Sequence, residues 1–133
     1  MVRPAAVLVL AFLAHPAAQK PVESAHVRGP NGLEGWTESV TIDEVKEQGP
    51  LPVVLVIARH GNVVRRIQGS GFVWNWRFEP DGRRVAYETG PLHFSMMCVL
   101  ADIQTGKEVG SVDCYQPSEH MPDWAQELEQ QRH

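Results

Sequence analysis

Four aromatic side chains occur at every second position between residues 72 and 78: Phe72, Trp74, Trp76 and Phe78. A period of two is typical of a β-strand, whose successive side chains point to opposite faces. Indole rings on one face can pack against a sugar or a peptide, so Trp74 and Trp76 are candidate binding residues. The alternative is that the same rings belong to the hydrophobic core.

The two cysteines, Cys98 and Cys114, flank a predicted turn at residues 104–106. With a three-residue loop, Cys98 faces Val112 and Cys114 is its diagonal neighbour on the same face. A loop that is one residue longer places the two cysteines on opposite faces. A disulfide between Cys98 and Cys114 is therefore one prediction, and two separate buried thiols are the alternative.

A second motif, Arg59-His60-Gly61, directly follows the apolar run at residues 53–58. It resembles the Arg-His-Gly motif of histidine phosphatases, in which His accepts the phosphoryl group and Arg holds the phosphate. The resemblance implies a catalytic His60 assisted by Arg59. The alternative is a polar hairpin turn in which Gly61 has a positive φ. The β-hairpins predicted after Gly61 favour the turn, because histidine phosphatases have long helices there.

Two further groups of polar side chains have the chemistry of a binding site or a metal site. Arg65 and Arg66 are weak candidates for a basic binding patch, with charged side chains on an exposed strand edge as the alternative. The spacing of the histidines matches no metal-ligand pattern, so we predict no metal site and no cofactor. The net charge of −4 argues against a nucleic-acid partner held through its phosphates.

Turn signals divide the middle of the chain into short β-branched and aromatic runs. These signals include Pro-Asp-Gly at residues 80–82 and Thr-Gly-Lys at residues 105–107. They predict about six strands, at residues 53–58, 63–67, 72–78, 83–89, 94–102 and 108–115. Consecutive strands joined by tight turns predict a mainly β fold, an antiparallel β-meander.

A short helix is predicted on each side of this meander. Thr41 and Glu44 have the spacing of a capping box, and Gly49-Pro50 can end a helix over residues 42–48. The alternative for this segment is a strand. Pro122, an early acidic residue and good helix formers predict a C-terminal helix over residues 122–130.

The N-terminal region divides into two parts. Residues 1–18 combine a positive charge, an apolar stretch of about ten residues and small residues after it, which together are typical of a secretory signal peptide. The alternative is an apolar strand. The stretch is too short to span a bilayer as a helix, so no transmembrane segment is predicted in the mature protein. Residues 19–40 are rich in Gly and Pro and predict an irregular arm or linker, which leaves residues 41–133 as a single domain.

Two hairpins resemble a known repeat. Residues 78–87, FEPDGRRVAY, and residues 100–107, LADIQTGK, resemble the WD40-like β-propeller repeat of TolB-type periplasmic proteins. Glu79 stands where that repeat usually has Ser. The resemblance covers residues 53–115 and implies about one and a half blades. A propeller closes with several blades, so a sheet of this size needs cover from the chain's own helices or from another chain.

The sequence thus favours a secreted or periplasmic, non-catalytic β-domain that binds another protein or itself. The alternative is a small histidine-phosphatase-like enzyme that uses His60. A third hypothesis is a carbohydrate-binding surface on the strand that carries the two tryptophans.

Overall fold

The computed structural model describes residues 20–93, 95–116 and 120–131, so the predicted signal peptide at residues 1–18 lies outside the described residues. The described chain forms nine strands and one α-helix. They are β1 (Val22–Glu23), β2 (Val27–Arg28), β3 (Leu33–Thr41), β4 (Pro50–Arg59), β5 (Asn62–Gln68), β6 (Phe72–Phe78), β7 (Arg84–Gly90), β8 (Met97–Asp102), β9 (Glu108–Asp113) and α1 (Asp123–Gln130). The prediction of a mainly β fold is confirmed.

The strands form two antiparallel sheets. In sheet A, β1 and β2 both pair with β3, which is followed by β4 and β5. In sheet B, β6, β7, β8 and β9 pair in chain order. All six predicted strands form, but they are divided between the sheets because β5 and β6 do not pair. Gly71, at φ 98°, lies in the short connection where the chain passes from sheet A to sheet B.

The expectation of an irregular arm over residues 19–40 is wrong for its second half. Leu33–Thr41 is a nine-residue strand that pairs with β4 along its whole length. Gly35 and several polar residues weaken its strand signal, and pairing with the strongly β-forming β4 overrides this low propensity. Residues 22–30, here called the β1–β2 segment, lie along the other side of β3.

The main hydrophobic core lies between the two sheets. Sheet A contributes Leu33, Leu55, Ile57 and Ile67, and sheet B contributes Val73, Val85, Tyr87, Val99, Ala101 and Ile103. Burial raises the pKa of Tyr87 to about 12. Because successive strand residues alternate between faces, sheet B has a second apolar face on its other side.

The helix α1 covers that second face of sheet B. Ala125 and Leu128 are fully buried there against Ala86, Cys98 and Leu100, and Trp124 packs at the margin. The predicted C-terminal helix is therefore confirmed. The sequence of β8 is apolar on both faces, which predicts a strand that is covered on both sides. The structure agrees, since the core covers one face and α1 covers the other.

The predicted helix at residues 42–48 is a 3₁₀ helix, Asp43–Gln48, with a non-helical residue at Val45. No side chain caps its N-terminus, so the predicted capping box does not form. A second 3₁₀ helix, Pro30–Gly32, precedes β3. Sheet B itself is a four-stranded antiparallel meander, which is the strand arrangement of one propeller blade. Membership of the propeller family stays a prediction.

Candidate binding cleft

A cleft of about 540 Å³ lies between β6 and the β1–β2 segment. Residues 73–78 of β6 line one side, most of residues 24–30 line the other, and Thr37, Pro52 and Gln131 complete it. Both tryptophans that the sequence singled out, Trp74 and Trp76, line this cleft. We call it the tryptophan cleft.

The side chains of β6 do not all alternate as the sequence predicted. A β-bulge between Val73 and Asn75 shifts the register against β7. Val73 therefore lies in the same core as Trp76 and Phe78, although its position has the opposite parity. The prediction that the four aromatic residues share one face is wrong, because a bulge adds one residue to a strand and changes the phase of its side chains.

The two indoles consequently belong to separate ring pairs. Trp76 meets Phe78 edge-on, with ring centroids 5.2 Å apart, and Trp74 meets Phe72 at 5.1 Å. Trp76 also packs on the backbone of β3, because a Cβ added to Gly35 would lie 2.6 Å from its Cη2 atom. Each ring is half-buried, so the tryptophans contribute to the core and to the wall of the cleft at the same time.

The opposite wall, the β1–β2 segment, is held on β3 by polar contacts. The Ser24 N–H donates to the Thr37 carbonyl at 2.9 Å, and the Thr37 N–H donates to Ser24 Oγ at 2.8 Å. His26 stacks on Trp36 with ring centroids 3.9 Å apart. Its two ring nitrogens lie 2.8 Å from Glu23 and 2.6 Å from Glu34.

Charged and polar groups in the cleft come mainly from three residues. Asn75 donates to the Leu128 carbonyl at 2.8 Å, and Arg77 Nη1 pairs with Glu127 at 2.9 Å, so both tie β6 to α1. The Nε atom of Arg77 is buried without a hydrogen-bond partner. Arg28 is exposed on the opposite wall, and no described carboxylate forms an ion pair with its guanidinium group. The lining residues include two arginines and no carboxylate.

Arg59 and His60 are placed differently from a phosphatase site. His60 and Gly61 form the two-residue turn between β4 and β5, with φ values of 49° and 85°. Positive φ at both central residues is the geometry of a type I′ hairpin, so the predicted positive φ of Gly61 is confirmed. His60 lines a small cavity beside Gly32, whereas Arg59 lines another cavity and donates to the Gly82 carbonyl at 3.5 Å. The structure does not bring the two side chains to one phosphate-sized site.

Arg65 and Arg66 extend from opposite faces of β5. Arg65 reaches sheet B, where its Nε donates to the Ile103 carbonyl at 3.0 Å and its Nη2 to the Gln104 carbonyl at 2.6 Å. Arg66 forms an ion pair with Glu38 on the outer face of sheet A. The two arginines therefore do not contribute to one basic surface.

Cys98 and Cys114 are joined by a disulfide, with Cα atoms 5.7 Å apart. The predicted pairing of Cys98 with Val112 is observed, which places both cysteines on the face of sheet B that α1 covers. Glu129 lies beside them, and these three form a cluster of potential metal-ligand types in the described chain. Both sulfur atoms are used by the disulfide.

The sequence interpretation missed the wall of the cleft formed by the β1–β2 segment. Arg28 and its neighbours lie in the segment predicted as an irregular arm, and no motif marks them. The one available signal was the pair of glycines, Gly29 and Gly35, because the rings of Phe78 and Trp76 need a surface without Cβ atoms.

No protein-family model, curated protein or solved structure matches this chain. None of the helices in the described part of the chain is long and apolar enough to cross a bilayer.

Proposed function

We propose that this chain is an exported, non-catalytic β-domain that binds another protein through the tryptophan cleft. One observation carries the proposal: an aromatic cleft runs along β6, an edge strand of sheet B. Its volume of about 540 Å³ is in the range of ligand sites. Half-buried aromatic residues are also the side chains that most often anchor binding partners.

The composition of the cleft supports binding rather than catalysis. Its lining residues include no His, Cys, Asp or Glu, which are the usual general acids and bases. The hydroxyl of its serine, Ser24, accepts a backbone hydrogen bond, and no lining residue is a base that could activate it. Arg59 and His60 lie outside the cleft and line separate cavities, so the phosphatase alternative has no assembled site to support it.

The ring geometry favours a protein partner over a carbohydrate. A sugar stacks flat on an isolated aromatic platform, whereas Trp76 meets Phe78 edge-on beside Gly35, and Trp74 lies tilted against Phe72, so neither indole is such a platform. The strand edge between them offers main-chain groups, which recognise a polypeptide. The resemblance to TolB-type repeats agrees with a role in contacts between envelope proteins, and the signal peptide predicted at residues 1–18 agrees with that compartment.

Selection from a random-peptide display library on immobilised protein tests the proposal. We expect enriched peptides to bind the wild type and to bind Trp74→Ala about tenfold more weakly, because truncating an aromatic anchor costs at least about 1–2 kcal/mol. Val109→Ala, an exposed change on β9, is the matched control and should bind like the wild type. Enrichment of no peptide, or equal binding by Trp74→Ala, would overturn the proposal.

The export part of the proposal has its own measurement. The intact mass of the protein recovered from its native compartment should correspond to a chain without residues 1–18. A mass that includes those residues would contradict the signal peptide, while leaving the binding result unaffected.

A further inference from the structure

We infer that the occupant of the tryptophan cleft is an extended, acidic segment of another protein, which joins sheet B as a fifth strand beside β6. This inference rests on the proposed binding function and specifies its partner. Three features of the cleft support it: the direction of the backbone groups of β6, the pattern of lining residues, and the charge of the walls.

The backbone groups of β6 that face the cleft can be assigned from one hydrogen bond. The Glu79 N–H donates to the Arg84 carbonyl at 2.9 Å, so these residues are a hydrogen-bonded pair. Pairs alternate along an antiparallel ladder, which makes Arg77 with Ala86 the next hydrogen-bonded pair. The N–H and C=O groups of Trp76 and Phe78 therefore point away from β7, and no described strand pairs with β6 on that side.

The lining residues show that the cleft follows this edge. A pocket on one face of a strand is lined by alternate residues, whereas a groove along its edge is lined by successive ones. Residues 73–78 line the cleft without interruption. The cleft therefore presents main-chain donors and acceptors in the order that a pairing strand requires, with aromatic rings on either side of them.

The charge of the cleft selects an acidic guest. The whole chain carries a net charge of −4, yet the cleft is lined by Arg28 and Arg77 without any carboxylate. Arg77 already pairs with Glu127 through its Nη1 atom at 2.9 Å, which leaves the exposed Arg28 as the cation that a guest can reach. A carboxylate on the guest can accept charge-assisted hydrogen bonds from the Arg28 guanidinium group.

The same charges disfavour a second copy of this chain as the occupant. A two-fold interface brings identical surfaces together, so each cleft would meet the arginines of the other. Like charges that face one another across an interface oppose association. A foreign acidic segment pairs with Arg28 and avoids this repulsion.

The test uses the display-selected peptides in three synthetic forms: unchanged, with every Asp and Glu replaced by Lys, and with alternate backbone nitrogens methylated. We expect Asp and Glu to be enriched, and the Lys forms to bind the wild type about tenfold more weakly, because a charge pair is lost. Arg28→Glu should reverse this preference. Lys107→Glu, an exposed residue in the β8–β9 turn, makes the same change in net charge and should not reverse it.

Methylation distinguishes strand pairing from other binding modes. Methyl groups on the backbone nitrogens that face β6 should abolish binding, whereas methylation in the other phase should leave it within about twofold, because only one set of N–H groups enters the ladder. Binding that needs Trp74 but is insensitive to both methylation phases and to Arg28→Glu would overturn this inference and leave the proposed function standing. A dimer by light scattering that must dissociate before peptide binds would assign the cleft to a second copy and also overturn it.

Discussion

At the scale of single residues, His26 links the β1–β2 segment to the rest of sheet A. Two side-chain hydrogen bonds raise the pKa of His26 above its ordinary value, and the bond to Glu23 has a larger effect than the bond to Glu34. Because the pKa of His26 is higher in the folded state, its protonated form stabilises the fold. This stabilisation is fully present below the unfolded pKa of about 6.5 and is lost as the pH rises through the folded pKa.

We therefore expect the difference in melting temperature between wild type and His26→Gln to be larger at pH 5.5 than at pH 8.5, both pH values being about one to two units from the ordinary pKa. Thermal unfolding followed by circular dichroism measures it. His60→Gln, at the β4–β5 turn, is the control for a generic histidine effect. A difference that grows with rising pH would contradict the assigned contacts.

Glu79 shows the opposite relation between charge and stability. Burial raises the pKa of Glu79, and one of its carboxylate oxygens is buried without a partner in the described chain. Because the folded pKa of this acid is raised, its ionised form destabilises the fold, and stability is gained as the pH falls through that pKa. Glu79→Gln should raise the melting temperature at pH 7 and lose this advantage near pH 4, whereas the exposed change Glu44→Gln should not.

At the scale of elements, the contact of β3 with β6 depends on a missing side chain. A Cβ on Gly35 would lie 2.6 Å from Trp76 and 3.1 Å from Phe78, so Gly35→Ala forces the rings to move. We expect a loss of about 1–3 kcal/mol in the free energy of unfolding, as for other overpacked cores. Urea denaturation measures it, with Gly110→Ala as the control because the nearest atom there lies at 3.4 Å. Equal stability of the two variants would show that the rings adapt without cost.

The disulfide between β8 and β9 closes a loop with a sequence separation of 16 residues. A loop of this size is worth about 3 kcal/mol in the chain-entropy account of crosslinks. The double variant Cys98→Ser, Cys114→Ser should therefore unfold at a lower urea concentration than the oxidised wild type. The reduced wild type lacks the crosslink but carries no serine hydroxyl groups, so comparing it with the double variant separates the two effects. No change on reduction would contradict a disulfide in the folded protein.

Elements with strong local signals were predictable, and elements that depend on tertiary pairing were not. The two apolar faces of β8 and the stripe of α1 follow from side-chain periodicity. The pairing of Cys98 with Val112 was predicted for a three-residue loop, whereas the Asp102 N–H donates to the Lys107 carbonyl across a four-residue loop, and a register shift after Leu100 restores the predicted pairing. The strand β3 was missed because it forms by pairing with β4. The bulge in β6 was missed because no residue type at Trp74 marks it. The cleft depends on β3 and on the bulge in β6. Its two tryptophans could be named from the sequence, whereas the wall formed by the β1–β2 segment could not.

At the scale of the whole molecule, the chain covers sheet B with its own helix. Leu128 is fully buried between α1 and sheet B. Leu128→Ala should lower the free energy of unfolding by about 2–5 kcal/mol, the range for removing a buried leucine side chain. The exposed change Val109→Ala should have little effect in the same urea titration. A loss below about 1 kcal/mol would mean that α1 is not docked as described.

The bulge in β6 also has a consequence for how this molecule can diversify. It places Val73, Trp76 and Phe78 against the core between the sheets and leaves Trp74 outside that core, in the wall of the cleft. Since the extra residue at Trp74 has no partner in β7, its side chain can vary without breaking the ladder. A substitution at this one position can therefore change what the cleft recognises and leave the pairing of β6 with β7 in place.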